Sequence, residues 1–427
     1  MKKSLGMTLL AAGLCAATAS ADIVVRDVTS RQRYPWNGLV DVTYKVRTTG
    51  ADTGKTLVAS ATANDRNTGA TYAVATFPAG AAPEPFAGRA AEETRSFVWD
   101  MAADAPGLVT DALAVTVTVS VAAGLAGEYV VIDLSGGPSA GSYPVTTLAA
   151  VPAGGWTDEH KTTKLVLRKI PRGTFTMGSP SGELGRYSDE VQHEVTLTQD
   201  FYMGVFQVTQ KQWERVMGTD PSAYKGDARP VEQVSYNMIR GATTDGINWP
   251  DTGGSVRADT FLGRIRAKTG LMFDLPTEAQ REYACRAGTA TALNSGKNLT
   301  ATALCPNMAE VGRYYYNSGY SSSYPSDGKG GYTYHTKVGM YLPNAWGLYD
   351  MHGNMWEWCL DWYVANLGTA AVTDPKGPVS GSNRIPRGGG CGSNASSCRS
   401  ACRNSGGPGR DYYDVGFRLC VPSALVP

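Results

Sequence analysis

The sequence predicts an α+β protein, with an N-terminal all-β sandwich followed by a loop-rich mixed domain. Three observations predict it. Residues 22–125 hold short runs in which apolar and polar residues alternate, the pattern of strands with one buried face. Beyond residue 126 that alternation gives way to aromatic and Gly-Asn-Trp clusters with a few capped helical stretches. Fifty glycines and 23 prolines among 427 residues imply many turns and few long helices. A chain of this length holds two or three domains, each with its own core.

Met1 to Ala21 reads as a secretory signal: Lys2-Lys3, an apolar run from Leu5 to Ala17, then Ala19-Ser20-Ala21. The run is too short to span a bilayer, and no later stretch is long and apolar enough. The expectation is therefore a mature chain starting near Asp22 that is secreted, periplasmic or held at the cell surface, without a transmembrane segment. Leu14 before Cys15 argues against a lipid-modified cysteine. The formal charge of +1 becomes −1 once Lys2 and Lys3 leave, so no nucleic-acid or anionic-membrane partner is expected.

The sandwich, immunoglobulin-like in size, is expected over residues 22–125. Val40 to Val46, Leu57 to Ala63 and Ala114 to Val121 each alternate with period two and are bounded by Gly, Pro and Asn clusters. It carries no catalytic constellation. In the second domain, 126–427, Thr209 with Gln212 and Thr277 with Gln280 are capping-box pairs that open helices. The second of these helices is expected to stop at Gly288. Arg257 to Thr269 is a third expected helix, and the Gly/Ser/Tyr-rich stretch from Tyr314 to Tyr334 an expected surface loop.

Without Cys15, seven cysteines remain: Cys285, Cys305, Cys359, Cys391, Cys398, Cys402 and Cys420. Outside the cytoplasm these favour disulfides with one thiol left over. Sequence does not fix the pairing; Cys285–Cys305 and Cys359–Cys398 are the working pairs. A thiolate metal site is disfavoured, because no CxxC occurs and no histidine neighbours the thiols.

The terminal stretch is compositionally distinct. From Cys391 to Val415, between Arg387-Gly-Gly and Gly416-Phe-Arg418, the chain holds almost nothing but Cys, Gly, Ser, Asn, Asp and Tyr around a few framework residues. Such a set cannot build a core. It matches antibody binding loops, where Tyr supplies contact area and small polar residues supply adaptable hydrogen bonds.

Six landmarks in order give the second domain a family resemblance. They are Gly173-Thr-Phe-Thr-Met-Gly-Ser179, Val208-Thr-Gln-Lys-Gln-Trp213, Pro230-Val-Glu-Gln-Val-Ser235, Leu275-Pro-Thr-Glu-Ala279, the run from Asn344 to Trp358 ending Gly-Asn-Met-Trp-Glu-Trp, and the closing Arg-Gly-Gly … Gly-Phe-Arg. Together they resemble the formylglycine-generating enzyme (sulfatase-modifying factor) family over residues 165–427. The resemblance implies a mixed, irregular fold of C-type-lectin type.

That family's activity implies two copper-binding cysteines in the terminal segment, with four residues between them. Here Cys391, Cys398 and Cys402 are separated by six and by three residues, so a copper oxidase acting on a protein cysteine stands as the alternative reading. An iron site is not expected, since His160, His193, His335 and His352 are scattered and lack the facial spacing iron enzymes use. His352, in its turn, is expected to make a structural hydrogen bond. The resemblance also implies a structural calcium ion held by Asp350, Gly353, Met355 and Glu357, an all-oxygen set that suits a hard cation. Trp356 and Trp358 are expected in the core.

The terminal segment resembles, in addition, the variable region of proteins diversified by retroelements, which use the same lectin-like scaffold. Asparagine codons altered only at adenine yield Asn, Ser, Gly, Asp, Tyr, Cys and Val among others, and never Lys, Glu, Gln, Met or Trp. Positions 391–394, 396, 397, 402, 404–407, 409 and 411–415 hold only permitted residues. Ala395, Cys398 to Ala401, Arg403, Pro408 and Arg410 resemble the fixed framework. The resulting expectation is a binding protein for an external protein or glycan. Its contact residues would be Cys391, Gly392, Ser393, Asn394, Ser396, Ser397, Cys402, Asn404, Ser405, Arg410, Asp411, Tyr412, Tyr413 and Asp414, with the two tyrosines as anchors.

Overall fold

The computed structural model describes residues 23–33, 37–49, 56–78, 81, 83, 86–110, 112–121, 127–241, 249, 256–319 and 334–423. The leader-like residues 1–21 and most of the Gly/Ser/Tyr-rich stretch, 320–333, lie outside the described residues. The chain divides into two compact units, Met1–Gly124 and Leu125–Val426.

Among the described residues, the regular structure of the first unit is strand apart from one helical turn. Strands β1 (Ile23–Gln32), β2 (Leu39–Thr48), β3 (Thr56–Asp65), β4 (Thr71–Ala73), β5 (Phe86–Ala87), β6 (Glu93–Asp100) and β7 (Leu113–Val121) form two antiparallel sheets. One has the order β1-β2-β6; in the other, β3 pairs with β4, β5 and β7. Alternation puts Val40, Val42, Tyr44 and Val46 of β2 on one face, where they share a core with Phe97 and Trp99 of β6 and Val117 and Val119 of β7. The helical turn α1 (Met101–Asp104) closes that core: Asp104 accepts hydrogen bonds from Trp99 Nε1 at 2.8 Å and from the Ala75 and Thr76 amides.

The second unit is built from short strands. Strands β8 (Tyr129–Asp133), β9 (Val145–Leu148), β10 (Lys164–Ile170), β11 (Gly173–Met177), β12 (His193–Leu197) and β13 (Phe201–Gly204) precede, among the described residues, five helices. These are α2 (Gln210–Met217), α3 (Tyr236–Ile239), α4 (Phe261–Thr269), α5 (Glu278–Arg286) and α6 (Pro306–Val311). Strands β14 (Trp356–Trp362), β15 (Val372–Thr373), β16 (Arg384–Arg387), β17 (Val415–Phe417) and β18 (Cys420–Pro422) follow. A five-stranded sheet, β18-β13-β10-β8-β9, backs the main core, and β11-β12-β15 and β16-β14-β17 are smaller sheets.

Both capping boxes form, with Thr209 and Gln212 opening α2 and Thr277 and Gln280 opening α5. Two helical expectations need correction. The third helix starts at Phe261 rather than Arg257, because Thr260 takes the N-cap and accepts from the Gly263 amide. Helix α5 ends one residue before the expected glycine: Ala287 already adopts the left-handed conformation, φ 45°, and Gly288 follows at φ 93°.

The sheet β16-β14-β17 decides where the terminal segment goes. Strand β14, buried at every residue, pairs antiparallel with β16 on one side and parallel with β17 on the other. Glu357 is in register with both Arg387 and Gly416. Residues 388–414 are thus one excursion whose two ends are clamped to the same core strand.

A candidate binding surface and a candidate cation site

The excursion is fastened from beneath by its framework residues. Arg399 and Arg403 are buried, and all three nitrogens of each guanidinium are hydrogen-bonded. Arg399 reaches Glu190 at 2.6 Å and Glu183 at 2.6 Å, and donates to the carbonyls of Gly185 and Ser396. Arg403 grips both oxygens of Glu278, at 2.6 and 3.0 Å, and donates to the carbonyls of Asp189 and Val364. Arg387, entering the excursion, pairs with Glu282 and donates to the carbonyls of Ala401 and Cys402. Bidentate arginine–carboxylate pairs fix orientation as well as distance. His352 makes the expected structural bond: Nε2 accepts from the Asn294 amide, so Nδ1 carries the proton and donates to the Cys398 carbonyl at 2.6 Å.

This fastening sorts the segment. Ala395, Cys398, Arg399, Ser400, Ala401 and Arg403 are all buried. Gly392, Asn394, Asn404, Ser405, Gly409, Arg410, Asp411 and Tyr413 are exposed, and Ser393, Ser397, Gly407, Pro408, Tyr412 and Asp414 partly so. Tyr413 stands half out of the surface, at 50 % exposure. Tyr412 packs its ring 6.2 Å from that of Trp358. Trp358 and Trp356 are in the core, as their sequence context predicted.

Three residues expected to touch a ligand are not placed to do so. Cys391, Ser396 and Cys402 lie beneath the surface. Cys391 is drawn in because its amide donates to the Asn354 carbonyl, Ser396 because its amide donates to Thr302, and Cys402 because it joins the main apolar core. Gly406 and Val415 are buried as well.

The cysteines also depart from expectation. All seven are free and buried, and neither Cys285–Cys305 nor Cys359–Cys398 is a pair. Each thiol has its own surroundings: Cys285 faces His352 and Ser400, Cys305 caps α6 beside Thr300, and Cys359 lies within β14. Burial pushes the thiols of Cys391 and Cys402 up to about 12 and that of Cys398 well above the ordinary cysteine range. Copper binding requires thiolates, and burial disfavours that charged form at all three.

The turn that leads into β14 is the second site. Asp350 and Asn354 hold positive φ, 53° and 62°. The Gly353 amide donates to Gly388, and the Asn354 carbonyl receives the Cys391 amide, so the turn supports the start of the excursion. Glu357 is wholly buried. Its Oε2 accepts from Arg281 Nε at 2.7 Å and Arg418 Nε at 3.1 Å; its Oε1 accepts from Arg418 and from Gln207 Nε2, both at 3.0 Å. Burial alone would raise the carboxyl, but the two guanidiniums hold it at about 2.

Two oxygens at this turn fit a cation. Asp350 Oδ1 and Gln207 Oε1 are buried without any hydrogen-bond partner, although Asp350 Oδ2 accepts the Gly339 amide at 2.7 Å. Asp350, Gly353, Met355 and Glu357 would hold the ion through oxygen, supplying structural bracing rather than chemistry. Among the described residues no three His, Cys, Asp or Glu side chains converge on a metal position, so any ion here depends on carbonyl oxygens. Sequence reading missed Gln207, Arg281 and Arg418 at this turn and Glu183, Glu190 and Glu282 under the excursion. Arg418 and Glu278 stood inside quoted landmarks, but no spacing linked them to their partners.

The sulfatase-modifying factor enzyme 1-like domain family matches residues 157–422. The chain is 27% identical to the formylglycine-generating enzyme of Mus musculus over 293 residues, 61% of this chain and 75% of that one. It is 35% identical to the formylglycine-generating enzyme of Thermomonospora curvata over 156 residues, 34% of this chain and 48% of that one. Among solved structures, Treponema denticola variable protein 1 aligns with a TM-score of 0.45 and 26% identity, covering 60% of this chain and 95% of that one.

Proposed function

This chain belongs to the sulfatase-modifying factor enzyme 1-like domain family, and from that premise we propose that it is an exported ligand-binding protein that displays a retroelement-diversified surface at 391–415. One observation carries the reading. Twelve of the seventeen positions open to adenine-directed change are exposed or partly exposed, while six of the eight framework residues are buried and tied down. A surface can be rewritten without loss of fold only where the changing side chains contribute little to the core. The exposed set combines Tyr413 and Tyr412 with Asn, Ser, Gly and Asp, which suits a protein or glycan partner.

The test is to sequence this gene and its flanking DNA across a growing population. Substitutions confined to adenine-derived codons within 391–415, beside a near-identical template copy and a reverse transcriptase gene, are expected. An invariant segment with no template would overturn the proposal.

The second reading, a copper oxidase that converts a target-protein cysteine to formylglycine, draws on the names of the mouse and bacterial relatives. It would rest on Cys391, Cys398 and Cys402, whose burial and raised pKa values weigh against it. Titration of reduced protein with a thiol reagent and with copper separates the two. Binding predicts slow, unfolding-limited thiol reaction; the oxidase predicts two fast thiols that copper protects.

A further inference from the structure

We infer that the cavity beside the N-terminal turn of α5 is a binding site for a small carboxylate. It shares no residue with the 391–415 surface, and the inference stands whether or not that segment is diversified.

Three parts of the second unit meet there. Strands β12 and β15 pair in parallel, Val195 with Val372 and Thr196 with Thr373, so residues 197–199 and 374–376 leave the sheet side by side. Thr277 and Gln280, the capping box of α5, close the third side. The space between them is about 150 Å³, the size of a cavity that holds a benzene ring. Leu197, Pro375 and Trp249 form its apolar wall, and Trp249 is set by an edge contact with Phe201, ring centres 6.2 Å apart. A largely apolar hollow with a few placed polar groups is the usual form of a small-molecule site.

The polar groups of the lining are unequally committed. Asp374 gives Oδ1 to the Thr198 amide and Oδ2 to the Thr198 hydroxyl. Thr277 Oγ1 accepts the Gln280 amide. Gln280 Oε1 accepts the Thr277 amide at 2.9 Å, and because a backbone amide only donates, that end of the side chain is fixed as oxygen. The other end is therefore nitrogen, with no partner among the described residues, on a residue only 4% exposed. Lys376, also in the lining, has no ion-pair partner among the described residues. What these side chains leave for a ligand is donors and one cation, with Gln199 offering an acceptor as well. A carboxylate answers both the amide and the ammonium. The partial positive charge at the start of α5 acts in the same direction, and Glu278, the acid of that first turn, is already held by Arg403. The volume leaves room for a short alkyl tail. Two sources carry that chemistry, a free short-chain acid and the C-terminus of a peptide.

The experiment titrates the full chain with sodium butyrate by calorimetry, against sodium chloride at equal ionic strength and against butyramide, its neutral analogue. The expected result is one butyrate per chain, half-saturating at roughly millimolar concentration, with butyramide about tenfold weaker. Gln280→Glu keeps the capping box, which Glu serves as well as Gln, but replaces the free donor by a carboxylate. It should raise the half-saturating butyrate about tenfold, and Lys376→Met should raise it several-fold. A short peptide with a free C-terminus, set against its amidated form, tells the sources apart. Preference for the free form at lower concentration than butyrate identifies a chain end; no such preference, with butyrate bound, identifies a free acid. No saturable binding of either butyrate or the peptide overturns the inference, as does butyramide binding as tightly as butyrate, or binding unchanged in Gln280→Glu. Should Gln280→Glu not fold, Lys376→Met decides: binding as tight as wild type overturns the inference.

Discussion

At the scale of single residues, what matters is which buried charges are answered. Arg399 is the clearest case, because it is shared by Glu183 and Glu190, more than two hundred positions away in sequence. Removing one partner of a buried pair strands the other, at a cost of about 3–5 kcal/mol. Arg399→Met should therefore lower the thermal midpoint by several degrees, read by calorimetry, whereas Ser405→Ala, on the exposed side, should leave it unchanged. His335 gives a pH signature. It is fully buried with neither ring nitrogen hydrogen-bonded, and Glu232 Oε1 lies 4.0 Å from Nε2. Burial, with Arg229 and Arg313 adding to it, holds its pKa down at about 3, against an ordinary value near 6.5. The unfolded chain thus binds a proton below 6.5 that the folded chain refuses. Stability from this group is complete above pH 6.5 and is lost as pH falls from 6.5 towards 3. Urea midpoints measured across that window should fall less steeply in His335→Phe than in the wild type.

At the scale of elements, the caps are local and the anchors are not. Thr277→Ala removes the side chain that accepts the Gln280 amide at the start of α5, and such losses cost about 1 kcal/mol. Because α5 presents Glu278 and Glu282 to Arg403 and Arg387, the change should also speed hydrogen exchange in the 398–403 backbone, which a cap loss confined to the helix would not do. Gly389 shows the opposite kind of constraint. At φ 76°, with a Cβ predicted to fall 2.4 Å from Cys398 Sγ, it admits no side chain. Gly389→Ala should destabilise the unit by more than the roughly 1 kcal/mol of a backbone preference alone, seen as a lowered denaturant midpoint. The helices were legible in sequence because capping residues and apolar spacing act within one or two turns. Short α3 and α6 went unforeseen, since four and six residues are too few to show a period.

At the scale of the whole molecule, two units each own a core, one centred on Trp99 and Tyr44 and the other on Trp213, Trp358 and Phe417. Calorimetry should resolve more than one transition, and Arg399→Met should shift only one of them; a single transition moved as a whole would count against independent cores. By itself the sequence determined the alternating strands, the two capping boxes, the family of the second unit and the composition of a segment unfit for a core. All of these are read from residues near one another in the chain. Only the tertiary structure decided that Cys391, Ser396 and Cys402 turn inward, that the expected cysteine pairs do not meet, and that Glu190 answers Arg399 and Gln207 answers Glu357. The physical reason is that the burial of a short polar residue and the partner of a buried charge are set by chain segments tens to hundreds of residues away, and no local spacing records them.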